Sequence, residues 1–246
     1  YSFMGQFPVV IWVNSSWTCE HIRHLWGTNG QKAVIVFPPA NTGALSRLPL
    51  QNRQRLIVSL GQFRPEKNHS LQISIMEKLL ATHDRYNNVK LAMIGGLRVN
   101  NSSDAVLLDS LRTMIKDKGL ENNVEIMLNV TDTQKMACIG QASVAIHTMV
   151  DEHFGISPVE LMAGGAVVVA HNSGGPKKDI VLDGVTGYLC KTADEYCQKV
   201  CTLLDDPEMQ AKMANKARSR AHAKFSDVSF KARIMQDLEQ LFKVYT

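Results

Sequence analysis

Short, nearly continuous apolar runs alternate along the chain with longer stretches in which apolar positions recur every three or four residues. The runs are 9–13 (VVIWV), 33–37 (AVIVF), 55–61 (RLIVSLG), 89–95 (VKLAMIG), 124–128 (VEIML), 143–148 (SVAIHT) and 166–170 (AVVVA). Most are rich in β-branched residues and lack the in–out alternation of a half-solvated sheet, so they predict strands buried on both faces. Between them, 17–26, 69–82, 103–118, 132–142, 158–164 and 176–182 carry the helical period. Strand and helix in strict alternation predict βαβ units, hence an α/β fold built on a Rossmann-like parallel sheet.

Two regions break the alternation. Residues 38–52 (PPANTGALSRLPLQN) are rich in Pro, Asn and Gly, show no period and read as a linker. The chain after 190 is helical throughout, in three segments: TADEYCQKVCTLLDD, PEMQAKMANKARSRAHAKF and SDVSFKARIMQDLEQLFKVY. Pro207 suits a helix N-terminus and Ser226 can cap the last helix. The expected division is 1–40 as the tail of a preceding domain, 41–52 as linker, 53–225 as the α/β domain and 226–246 as a final helix.

Composition narrows this only slightly. At 246 residues, 45% hydrophobic and 20% charged, the chain can bury a sizeable core. A net charge of +4 suits an anionic ligand, but no nucleic-acid motif accompanies it, and no nucleic-acid partner is expected. The five cysteines form no Cys-x-x-Cys pair and read as reduced thiols. Asn-x-Ser/Thr sequons at Asn14, Asn68, Asn100, Asn101 and Asn129 are expected to be chance matches. No run approaches the roughly 20 apolar residues of a bilayer span. The opening, which lacks an initiator Met and enters directly on a strand-like run, suggests a piece of a longer protein.

In a doubly wound sheet, ligands bind outside the carboxyl ends of the strands, and three loops there carry chemistry. In GQFRPEKN (61–68), Arg64 and Lys67 precede a helix, placed either to grip a phosphate or as solvated cations. In DEHFGISPVELMAGG (151–165), the backbone N–H groups of Phe154, Gly155 and Ile156 lie before a helix start, and Gly155 allows close approach by a diphosphate. Ser157-Pro158-Val159-Glu160 also fits a capping box, which would explain Ser157 and Glu160 structurally. Glu152 has no such role: it is a sugar-hydroxyl acceptor or a solvated loop carboxylate. In HNSGGP (171–176), Gly174 and Gly175 permit close backbone approach, or simply a tight turn. His147 and His171 end strands, as ligand contacts or as packed core histidines. The fingerprints for dinucleotides, for P-loop nucleotides, for serine hydrolases and for histidine-held zinc are all missing, as is an Asp-x-Asp pair. No metal and no cofactor are expected.

Glu152 and Glu160 eight positions apart, Phe154-Gly155 between them and LMAGGAVVVA behind resemble the signature of retaining GT-B glycosyltransferases. RPEKN, GGP and DGVTGY (183–188) follow in the expected order, so the resemblance covers roughly 53–190. Within that family, GQFRPEKNHSLQI and HTMVDEHFGISPVELMAGGAVVVAHNSGGPKKDIV look like the eukaryotic GDP-mannose-dependent α-1,2-mannosyltransferases of dolichol-linked oligosaccharide assembly. VNSSWTCEHIRHLW extends the likeness toward the start of the chain.

The resemblance implies a donor-binding domain preceded by a remnant of the acceptor domain, and transfer of the fourth and fifth mannoses from GDP-mannose with retention. Lys67 would neutralise the donor diphosphate, Glu160 bind the ribose diol and Glu152 the mannose hydroxyls, while Phe154, Gly155 and Ile156 offer backbone donors. Leu128, Asn129 and Val130 would lie against guanine. Lys67 and Glu152 would be the catalytic pair. Where the wider family often has Arg, this chain has Gln62; Arg64, two residues on, would point the same way in an extended segment and supply the charge. Implied partners are the lipid-linked oligosaccharide, reached through a missing N-terminal domain that also anchors the enzyme on the cytosolic face of the endoplasmic reticulum membrane, and other mannosyltransferases of the pathway. Two rivals remain: a non-catalytic nucleotide-sugar sensor or scaffold on the same fold, and a UDP-sugar transferase.

Overall fold

The computed structural model describes residues 2–98 and 101–245; Asn100, with its sequon, and Thr246 lie outside the described residues. A two-stranded parallel sheet, β1 (Ile11–Val13) and β2 (Ala33–Ile35), packs on α1 (Ser16–Trp26) around a small core of Ile11, Val13, Cys19 and Ala33. The main sheet has six strands: β3 (Gln54–Leu60), β4 (Lys90–Gly95), β5 (Val124–Leu128), β6 (Ala142–His147), β7 (Val167–His171) and β8 (Gly187–Cys190). Every pairing is parallel, in the spatial order β5-β4-β3-β6-β7-β8. The chain therefore winds outward from β3 through β4 to β5, returns to the centre at β6, and winds the other way. That return creates a switch point between the carboxyl ends of β3 and β6, where the connecting segments diverge to opposite sides.

Burial explains the sequence pattern. All six residues of β6 are buried, because it lies mid-sheet under helices on both faces. One apolar layer joins α3 (His69–Thr82), α4 (Ser102–Asp117) and α7 (Ala193–Asp205) to the sheet through Ile73, Met76, Leu108, Leu111, Tyr196 and Val200. The other joins α5 (Asp132–Gln141), α6 (Ile156–Gly164) and α8 (Pro207–Phe225) through Ile139, Val159, Leu161, Ala217 and Phe225. Burying either layer stabilises the domain by about 1.5–3 kcal/mol per large side chain.

The fold differs from the sequence pattern in three places. The segment read as linker contains a helical turn, α2 (Thr42–Leu45), because Leu45 finds a buried seat against the second layer. Strand β8 has no period of its own; four residues beginning with Gly187 gain strand character only by pairing with β7. Residues 176–180 form a π-helical turn rather than an α-helix; Arg220 and Lys224 donate to the carbonyl of Asp179, and Arg220 also to that of Ile180. The last helix, α9 (Asp227–Tyr245), reaches the small sheet: Trp12 Nε1 donates to Asp237 at 3.1 Å.

Candidate active site at the switch point

Leaving β3, the chain turns at Gly61 and tightens into a 3-10 turn at Pro65–Lys67 before α3 begins. Gly95 makes this possible: a Cβ there would stand 2.0 Å from the Gly61 carbonyl oxygen, so the ends of β3 and β4 approach as only glycine allows. Leaving β6, Thr148 ties the two halves of the crevice together. Its hydroxyl donates to the carbonyls of Lys67 (2.8 Å) and Asn68 (3.1 Å) and accepts from Gln72 (3.0 Å). Across this tie, Lys67 Nζ meets Glu152 Oε2 at 2.5 Å and Met149 Sδ at 3.1 Å.

Both charged groups are largely withdrawn from water, with side chains 23% and 15% exposed, so each depends on the other far more than a surface pair would. Burial alone would raise the Glu152 carboxyl; its contacts with His147 and Lys67 outweigh this and hold it at about 2. His147 Nε2 stands 3.4 Å from the same carboxylate oxygen but makes no aligned hydrogen bond, although the residue is 4% exposed. Nearby, burial and the Lys67 charge lower the buried His69 to about 4, keeping it neutral at pH 7.

Beside this pair, a cavity of about 280 Å³ is lined by residues that include Gln62, Asn129, Val130, Lys135 and Glu160. Gly61 lines it too, and the Lys67 stem packs 3.6 Å from the position of a Gly61 Cβ, so cavity and ion pair belong to one crevice. Asn129 holds a left-handed backbone (φ 49°) that turns its chain across the mouth. The Leu128 side chain packs into the core instead of lining the cavity.

The capping box expected at Ser157–Glu160 does not form. Helix α6 starts at Ile156 with Gly155 (φ 111°) as its N-cap and no side-chain cap, which puts Glu160 in the second turn, half-buried on the cavity wall. The structural explanation for Glu160 thereby falls away. The N–H groups of Ile156 and Ser157 have no acceptor among the described residues, leaving the positive end of α6 open. The Phe154 ring is buried against Phe37 and Phe225 and so turned away from the crevice's ligand space.

Gly174 and Gly175 do allow close approach, but to this chain's own backbone. A Cβ on Gly174 would lie 2.3 Å from the Glu152 carbonyl oxygen and one on Gly175 2.3 Å from that of Phe154, while Gly175 N–H donates to Glu152 O at 2.7 Å. The glycine loop is the floor on which the Glu152 loop rests. His171 also serves that loop: it shares a 2.8 Å hydrogen bond with Ser173, whose hydroxyl accepts the Asp151 N–H. Arg64 does not join Gln62 on the cavity wall; its guanidinium lies 3.8 Å from Glu66, with the charge of Asp104 nearby. A bend at the buried Phe63, between them, interrupts the extended geometry that would have aligned the two.

Lys135 and Thr148 were not singled out in the sequence. Lys135 lies in the first turn of α5, just beyond the left-handed Asn129, and a cation so close after a strand-end loop is the available signal. Thr148 could be found only through contacts made 80 and 81 residues away. Among the described residues no cluster of three His, Cys, Asp or Glu side chains could hold a metal ion, and all five thiols are free. No helix of the described residues is long and apolar enough to cross a membrane.

The chain is 36% identical over 252 residues to the Homo sapiens GDP-Man:Man(3)GlcNAc(2)-PP-Dol alpha-1,2-mannosyltransferase, covering 99% of this chain and 51% of the relative. Identity to the protein of the same description from Dictyostelium discoideum is 37% over 250 residues, covering 98% and 49%. The chain thus spans about half the length of the curated relatives it matches. Among solved structures, Anabaena HepE in complex with UDP and glucose superposes with a TM-score of 0.80 at 20% identity, covering 96% of this chain and 64% of that one. Sucrose-phosphate synthase from Thermosynechococcus elongatus gives 0.79 at 20%, covering 99% and 61%. These confirm the GT-B glycosyltransferase fold. The family model for glycosyl transferases group 1 matches residues 45–220, and the chain belongs to that family.

Proposed function

We propose that this chain is the donor-binding part of a retaining mannosyltransferase that takes mannose from GDP-mannose and delivers it in α-1,2 linkage to dolichol-diphosphate-linked oligosaccharide, as its fourth and fifth mannoses. One observation carries the reading: a half-buried lysine and two carboxylates, Glu152 and Glu160, flank an open helix N-terminus at the switch point of the sheet. That order of charges suits a ligand with a diphosphate between two polyols, as a nucleotide sugar has. Guanine and mannose are supplied by the relatives, whose printed activity is GDP-mannose-dependent.

In this reading the cavity walled by Gln62, Asn129, Val130 and Glu160 takes the nucleoside, with Glu160 accepting from the ribose diol. The diphosphate lies against the N–H groups of Ile156 and Ser157 and draws the Lys67 ammonium, which stabilises the charge building on departing GDP. Glu152 accepts hydroxyls of the mannose. A carboxylate committed to that task is a poor nucleophile, which favours departure and attack on the same face of the sugar over a covalent glycosyl-enzyme. The acceptor site, the membrane anchor, the partner mannosyltransferases and the place on the cytosolic face of the endoplasmic reticulum belong to the whole enzyme. No metal or cofactor is needed for these steps.

The test is mannose transfer by the whole enzyme with Lys67→Ala or Glu152→Ala. The expected result is a loss of at least a hundredfold in kcat/KM for each, the range for removing a transition-state charge contact. Transfer at the wild-type rate in either variant would overturn the assignment.

A further inference from the structure

In the ligand-free crevice Lys67 and Glu152 neutralise one another at 2.5 Å. The proposed donor brings a diphosphate that needs the same ammonium. Once Lys67 turns to phosphate, Glu152 remains in a site where burial opposes its charge. Some other donor must then face the carboxylate, or the loaded site would hold an unpaired buried charge beside the sugar.

Met149 Sδ, already beside Lys67, is a weak acceptor with no proton to give. His69 lies on α3 with its ring stacked on Phe63 (4.7 Å between centroids). His171, at the end of β7, is bound to Ser173. His147 alone meets the requirement among these: it ends β6, its side chain is 95% buried, and its Nε2 lies 3.4 Å from Glu152 Oε2 with no aligned partner among the described residues. Its backbone is fixed, because the buried Tyr196 hydroxyl, reaching from α7, donates to the His147 carbonyl at 2.8 Å. A rigidly seated imidazole with a spare ring nitrogen aimed at a carboxylate is costly unless that nitrogen finds a partner in some state of the protein.

We propose that His147 is the positioning residue for Glu152 in the donor-loaded site: it takes over the carboxylate from Lys67 when the diphosphate arrives, and so holds Glu152 toward the hydroxyls of the sugar. A shift of a few tenths of an ångström brings the 3.4 Å contact into hydrogen-bonding range. The inference rests on the donor-site reading above and deepens it, because it makes recognition of the sugar separable from recognition of the nucleotide. GDP occupies the phosphate subsite without using Glu152; GDP-mannose needs both.

Calorimetric titration of the chain with GDP and with GDP-mannose tests this in wild type, His147→Ala and His147→Gln. The Gln amide nitrogen stands close to the position of Nε2 and can donate in its place. Expected is a roughly tenfold weakening of GDP-mannose in His147→Ala with less than a twofold change for GDP, and recovery of most of the loss in His147→Gln. Equal weakening of both ligands, or a Gln variant no better than Ala, would show a packing role and overturn the proposal. Wild-type chain that binds neither ligand would sink the donor-site reading itself, and this inference with it. Unchanged GDP-mannose affinity in His147→Ala would sink this inference alone.

Discussion

The two ends of the main sheet treat their polar groups in opposite ways. At the amino ends of β3 and β6, Arg53 donates to four backbone carbonyls, those of Pro49, Ile139, Ala142 and Gly164, and Arg218 joins it on Gly164. Gln210 donates to Ser143 O at 2.8 Å. These side chains close the carboxyl ends of α5 and α6, and burial together with the Arg218 charge lowers Arg53 to about 10 without discharging it at neutral pH. At the carboxyl ends, Lys67 and Glu152 have mainly each other, His147 Nε2 lacks an aligned partner, and the first N–H groups of α6 are open. The amino end spends its charged donors on the domain's own carbonyls, though Arg53 Nε, Arg55 Nε and Nη2 and Ser143 Oγ there lack partners too. The carboxyl end instead leaves a charged pair and a helix N-terminus beside an open crevice, as the proposed site for an anionic, hydroxyl-rich ligand requires.

That contrast can be broken first at the structural end. Arg53→Ala would take a donor from four carbonyls, of which Gly164 keeps Arg218, and is expected to lower stability by about 3 kcal/mol in chemical denaturation, while the folded fraction keeps its GDP affinity. Gly174→Ala crosses the two categories. A methyl group at a left-handed position (φ 60°) and 2.3 Å from Glu152 O must displace the Glu152 loop. A loss of about 2 kcal/mol is expected, accompanied here by weaker GDP-mannose binding.

Glu160→Ala probes the carboxyl end. With no capping box formed, its removal should change stability by less than about 0.5 kcal/mol and weaken GDP about tenfold; a stability loss with unchanged GDP affinity would return Glu160 to a structural role. The smallest effects are in pH. His69 is held below its ordinary value, so its contribution is complete above about 6.5 and is lost as pH falls toward about 4. Glu152 is also held low, so its contribution is complete above about 4.5 and is lost as pH falls toward about 2. Each window carries at most one proton. His69→Gln should flatten only the first in pH-dependent denaturation, and Glu152→Gln only the second.

The sheet was legible in the sequence because buried parallel strands announce themselves as apolar runs; β6, buried at every position, is the clearest. Strand β8 was not legible, since its order comes from pairing with β7 and not from its own residues. Much of the site was legible too: a lysine and two glutamates at strand ends could be chosen from the chain, and the fold brings them to one crevice. What misled was local grammar. Ser157 to Glu160 spells a capping box, yet Gly155 opens the helix earlier and releases Glu160. Gly174 and Gly175 spell ligand approach, yet the backbone that approaches is the protein's own. Whether a glycine faces a ligand or a neighbouring loop is a long-range fact, as is the tie that Thr148 makes.

Lys67, held by Glu152 in the ligand-free crevice, is the proposed diphosphate grip of a guanine-nucleotide site. Calorimetric titration of the chain with GDP, GDP-mannose and UDP, in wild type and in Lys67→Ala, tests it most directly. The account predicts that GDP and GDP-mannose bind, that UDP binds at least tenfold more weakly, and that Lys67→Ala weakens both guanine ligands by about tenfold or more. Equal affinity for GDP in wild type and Lys67→Ala, or a preference for UDP, would contradict it.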